Sequence, residues 1–136
     1  MMDLMSFLGW SHLAASLLVI ALAIPLVLQR VPPNRTYGVR LKESLQSSEN
    51  WYRINYAGGW FLIFWASVLL IIALVMLMVR PSLSTDMTLA LGLAPAVIVI
   101  AAWQTQRYAR KVAQENDADV FPPSLSGGQK SDPDEQ

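Results

Sequence analysis

The feature that most limits what this chain can fold into is a run without a single charged side chain, from Phe7 to Leu28. Wound as a helix, about 22 residues at 1.5 Å each reach roughly 33 Å, enough to cross a bilayer hydrocarbon core of about 30 Å. Two more runs are free of charge: Trp60 to Val79, and Thr88 to Thr105, the last interrupted by Gly92 and Pro95. The chain of 136 residues is 54% apolar and 15% charged, against roughly 45–50% and 25% for soluble domains. The apolar surplus is concentrated in these three blocks rather than alternating with polar residues. A peptide group left unbonded in lipid costs several kcal/mol, so such blocks are expected to be helices that satisfy their own backbone. The expected fold class is therefore all-α and integral to a membrane, with spans at about 7–28, 60–79 and 88–105. Ala21-Leu22-Ala23 resembles a signal-peptide cleavage site, but the residues before the first block carry Asp3 and no Lys or Arg, and a signal peptide starts positive.

Basic residues near the spans set orientation, because they are retained on the cytoplasmic side. The loop at 29–59 carries Arg30, Arg35, Arg40, Lys42 and Arg53, and Arg107, Arg110 and Lys111 follow the third block. Between the second and third blocks stands Arg80 alone. Three spans put the eight on one side and the one on the other. The expected arrangement is a multi-pass membrane protein with its N-terminus outside and its C-terminus in the cytoplasm. Residues 1–112 form the membrane domain on this reading, and 113–136, polar and holding Pro122-Pro123 and Gly127-Gly128, form a disordered cytoplasmic tail. Trp10, Trp103 and Tyr108 fall near block ends, where amphipathic rings anchor at the interface.

The loop at 29–59 is too long and too patterned for a plain connector. Pro32-Pro33 ends the first helix, since proline lacks the N–H and obstructs the turn before it. Asn34 to Gly38 reads as a turn in which Gly38 can take a positive φ. Ser47 or Ser48 can cap a following helix, with Glu49 in its first turn where the helix dipole favours an anion. Trp51, Ile54, Asn55 and Gly58 then share one face at i, i+3, i+4 and i+7. This predicts a short amphipathic helix at the membrane surface, with Trp51 and Asn55 at least half buried, and a bend or close packing point at Gly58-Gly59 before the second span. Glu49 is placed to pair with Arg53 one turn on, or with Arg40 folded back from the turn. One connected polar cluster of Asn34, Tyr37, Arg40, Glu49 and Asn55 is expected. Arg35, Arg40 and Arg53 also offer planar forks suited to carboxylate or phosphate, as on an anionic lipid headgroup or an acidic partner.

The loop resembles the signature of the SdpI family of bacterial integral membrane proteins, named for an immunity protein against a secreted killing factor. Pro32, Pro33, Asn34, Tyr37, Gly38, Arg40, Glu49, Trp51, Asn55 and Gly58 occur in the family's order. Val39 stands where an aromatic is usual and Leu41 where Thr or Ser is usual. The resemblance implies a three-span layout and a role in toxin immunity and in signalling by holding a repressor at the membrane.

Catalysis finds little support. No cysteine is present and His12 is the single histidine, so no thiolate or histidine cluster can bind a metal. No phosphate loop, dinucleotide fingerprint or serine elbow occurs. His12, inside the first block, is expected to hydrogen-bond between helices. No span carries Asp, Glu, Lys or Arg, which argues against an ion path through one copy. Neither a cofactor nor nucleic acid is expected, and a net charge of zero gives the latter no footprint. The expected partners are the bilayer, anionic headgroups and a membrane protein, toxin or regulator. Asn34, Arg35, Tyr37, Arg40, Glu49, Trp51, Arg53 and Asn55 are the candidate ligand-binding or structural residues. The alternative is an accessory subunit that packs against a larger membrane complex.

Overall fold

The computed structural model describes residues 4–79 and 90–120, with side chains described through Asp117. Three long helices carry the fold: α1 (Leu4–Val27), α2 (Ser48–Val79) and α3 (Val97–Val120). Short 3-10 turns lie at Glu43–Leu45 and Ala94–Ala96. Among the described residues there are no strands. The expected outer loop with Arg80 and Asp86, residues 1–3, the first two residues of the expected third span and tail residues 121–136 lie outside the described residues.

α2 is the central element, with α1 packed along it on one side and α3 on the other. Both partners run antiparallel to it. Gly9 of α1 lies against Met76 and Leu77 near the end of α2, whereas Ala23 and Val27 meet Gly59 near its start. Gly59 is a close-approach point: an added Cβ would stand 2.8 Å from Val27 Cγ2 and 3.3 Å from the Ala23 carbonyl oxygen. On the other side Gly58 meets Thr105, Ile54 is buried with Ala109 and Val112, and the Trp65 indole donates to Gln104 Oε1 at 2.8 Å.

α1 and α2 are each long and apolar enough to cross a membrane, yet only 22% of either apolar window is buried within the protein. A core helix of a soluble domain would hide most of such a window. Here Leu17, Leu18, Phe64, Ile71 and Met78 project outward, Met78 at 84% exposure. That outward apolar surface exceeds what a water-soluble monomer ordinarily shows. His12, 4% exposed, lies 3.1 Å through Nε2 from the Leu91 carbonyl oxygen. It ties α1 to the short helical stretch before Pro95, as expected for a histidine between helices.

Three boundaries differ from the sequence expectation. The segment from Ser48 to Gly59 is not a separate interfacial helix but the first turns of α2, which runs on without a break. Gly58 and Gly59 are close packing points, one of the two roles the sequence offers for them. The expected third span is interrupted by the 3-10 turn at Pro95, and the continuous helix starts at Val97. At the far end α3 extends to Val120, so residues 113–120 are helical where the tail was expected to begin.

Candidate functional site

The loop between α1 and α2 is built by a sequence of local locks. α1 ends at Val27, and two residues on Gln29 takes φ +53°. Its N–H then reaches the Leu26 carbonyl at 3.1 Å, and the Arg30 N–H reaches Pro25 at 3.0 Å. These paired bonds satisfy carbonyls the helix end would otherwise leave open. After Pro32-Pro33, Asn34 organises the turn. Its Oδ1 accepts from the Thr36 N–H at 2.9 Å and the Tyr37 N–H at 2.7 Å, while its Nδ2 donates to the Pro32 carbonyl at 2.8 Å. An Asn side chain replacing backbone partners in this way is the reason the residue type favours turns. The Tyr37 hydroxyl donates to the Leu22 carbonyl of α1.

Gly38 follows with φ +105°, a backbone region close to glycine-only. That reversal sends Val39 under the start of α2, where Asn55 treats it as a neighbouring strand would. Asn55 Oδ1 accepts from the Val39 N–H at 2.6 Å, and Nδ2 faces the Val39 carbonyl at 3.4 Å and donates to the Trp51 carbonyl at 2.9 Å. Trp51 closes the other edge, its indole N–H donating to the Val31 carbonyl at 2.8 Å. Trp51 is fully buried and Asn55 is 2% exposed, as their helical spacing predicts. Val39 and Leu41 complete the apolar contact by packing onto Ile54, Ala109 and Val112.

Two residues outside the expected set are equally embedded. Ser44, fully buried, accepts from the Leu41 N–H at 3.0 Å and shares its proton between the Val39 and Leu41 carbonyls, both at 2.8 Å. Asn50, 4% exposed, donates to the Glu43 carbonyl at 3.2 Å and accepts from Asn116 of α3 at 3.1 Å. Ser47 caps α2 by accepting the Asn50 N–H at 3.0 Å. The sequence signal for Asn50 is its place at the third position after a serine cap. Ser44 carried no such signal.

The charged residues behave differently from the expected cluster. Arg40 and Glu49 are both exposed, and no side-chain hydrogen bond or ion pair joins either one to a described residue. Arg53 does not take Glu49 one turn away. It pairs with Glu115 of α3 at 2.6 Å. Hydrogen bonding from Tyr108 and then Glu115 raises the Arg53 pKa above its ordinary value. With the two side chains 42% and 56% exposed, solvent screens the pair and its contribution to stability is small. Its structural meaning is larger than its energy, because it places the loop and the end of α3 at one end of the bundle. The structure thus joins Asn34, Tyr37, Trp51 and Asn55 into one bonded loop and leaves Arg35, Arg40 and Glu49 outside it, facing solvent.

Long outward-facing apolar helices with a polar loop folded over one end define a helical membrane protein. The chain belongs to the SdpI/YfhL protein family, whose model matches residues 30–109, more than half of the chain and all of the bonded loop from Val31 to Asn55. No curated protein and no solved structure matches the chain.

Proposed function

We propose that this chain is a three-span inner-membrane protein of the immunity or signalling type, and that its loop is a fixed recognition surface on the cytoplasmic side. The observation that carries this reading is a division of labour within the loop. Trp51, Asn55, Asn34 and Tyr37 spend their polar atoms on holding the backbone, whereas Arg35 and Arg40 lie exposed with no partner among the described residues. A positional role in setting topology needs the charges but not the bonded frame beneath them. A frame that fixes the backbone and leaves two guanidinium forks open is suited to an acidic partner, whose carboxylates accept paired N–H bonds. The reading is of a binding protein without catalysis, and no group of three or more His, Cys, Asp or Glu able to hold a metal occurs among the described residues.

Orientation follows from the eight-to-one basic asymmetry. The Arg53–Glu115 and Asn50–Asn116 contacts agree with it, since they hold the loop and α3's end on one side. One experiment tests both parts. The chain, with reporters at Lys42 and at the C-terminus, is expressed in bacteria exposed to the secreted killing factor that the family's namesake counters. Both reporters are expected to read cytoplasm, and the wild-type chain raises survival. Arg35→Ala with Arg40→Ala abolishes that survival at unchanged membrane abundance. Full protection by the double variant would leave these arginines with topology as their one role.

A further inference from the structure

A second surface lies away from the loop, in a groove of about 280 Å³ between α2 and α3. Its walls change character along its length. Along α3 the lining runs from Trp103 and Gln104 through Arg107 and Tyr108 to Lys111, with Phe61 supplied by α2. Trp103, Arg107 and Lys111 recur at intervals of four, so they lie on one helical face, and from Trp103 to Lys111 the face rises about 12 Å. The Arg107 guanidinium carbon sits 4.7 Å from the centroid of the Trp103 ring, which holds the cation back toward the aromatic surface.

No acid lines this groove. Glu115, one turn beyond Lys111, is engaged by Arg53 at 2.6 Å. Arg107 and Lys111 are exposed and have no ion pair among the described residues. The Gln104 carbonyl is used by the Trp65 indole, which leaves its amide N–H donors without a described partner. The groove therefore offers amide donors and two positive charges, Lys111 lying one helical turn beyond Arg107, beside the aromatic surface of Phe61 and Trp103 and next to helices whose apolar faces point outward.

We propose that this groove binds the phosphate of an anionic phospholipid, with Arg107 and Lys111 on the phosphate, Gln104 on the glycerol region and the acyl chain along Phe61 and Trp103. The proposal rests on the membrane-spanning reading above. It commits to a lipid rather than a free phosphate because the aromatic surface of the groove would be left exposed by a soluble anion. The groove does not include Arg35 or Arg40, so the lipid site and the loop surface are separable.

The test uses the full chain, purified in detergent and incubated with equal amounts of phosphatidylglycerol and phosphatidylcholine, with the lipid retained after gel filtration measured. The wild-type chain is expected to retain phosphatidylglycerol preferentially. Arg107→Gln with Lys111→Gln reduces that preference about tenfold, in line with two cations acting on one anionic headgroup. Arg107→Lys with Lys111→Arg preserves it. Equal retention of the two lipids by the wild-type chain overturns the proposal, and so does an unchanged preference in the first double variant. Displacement of the bound lipid by millimolar glycerol phosphate would assign the site to a free anion instead, and suppression by an acidic peptide at equal charge would assign it to a protein. A carbonate wash of native membranes separates the two readings. Release of the chain would refute both, whereas a chain that stays in the membrane without a lipid preference refutes the groove alone.

Discussion

Trp51→Ala is expected to lower the stability of the folded protein by about 3–5 kcal/mol, the range for removing a large aromatic from a packed site. Trp51 has no exposed surface, so truncation leaves a cavity beneath the loop that the helices cannot close without moving. It also strips the Val31 carbonyl of its indole donor and removes the ring against which Gly38 turns, since an added Cβ there would lie 3.2–3.3 Å from it. Unfolding in mixed detergent micelles, followed by circular dichroism, reads this loss. A change below about 1 kcal/mol would mean that Trp51 is a membrane anchor with no packing role.

The second large effect belongs to Gly38. Its φ of +105° is strained for any residue with a side chain, and an added Cβ would stand 2.6 Å from Asn55 Oδ1. That oxygen cannot give way freely, because it holds the Val39 N–H at 2.6 Å. Gly38→Ala therefore combines backbone strain with overpacking and is expected to cost about 2–4 kcal/mol. Gly92→Ala is the matched control. The nearest atom to a Cβ there is Leu8 Cδ1 at 3.7 Å, an ordinary contact, so the same change should be near neutral. Equal effects at the two glycines would show that the turn relaxes and that the Asn55 lock is not rigid.

How much of this was legible in the sequence depends on whether a residue's partner is set by period or by the path of the chain. Helical spacing placed Trp51, Ile54, Asn55 and Gly58 on one face, and the first three are buried under the loop with Gly58 against Val39 and Thr105. The single polar ring in an apolar block was likewise expected to bond between helices, as His12 does. The Arg40–Glu49 pair failed for a reason that spacing also contains. Two residues before Trp51, Glu49 stands about 200° around the helix, away from the face the loop covers. Arg53, two residues after Trp51, is turned by the same amount in the other sense and meets α3. Its partner Glu115 could not be inferred, because nothing in the sequence fixes how α3 lies on α2. The same ignorance misplaced the tail boundary: Glu115 and Asn116 look like solvated tail by composition, yet they dock on Arg53 and Asn50. At Gly58-Gly59, where a bend or a close packing point is expected, the structure shows close packing, each glycine serving a different neighbour, α3 and the loop for one and α1 for the other.

The loop as a fixed platform, rather than a connector, is the claim on which the rest depends, and the exchange rate of the Val39 amide tests it most directly. In the full chain reconstituted in lipid, Val39 N–H is expected to exchange at least about a hundredfold more slowly than in an unstructured chain, an opening cost of roughly 2.8 kcal/mol. The Tyr37 N–H, held by Asn34 at 2.7 Å, should be slowed with it. Asn55→Ala should release Val39 while amides in the middle of α2 keep their protection. Exchange of Val39 in the wild-type chain at the unstructured rate would contradict the account, leaving Arg35 and Arg40 on a loop with no defined shape to present.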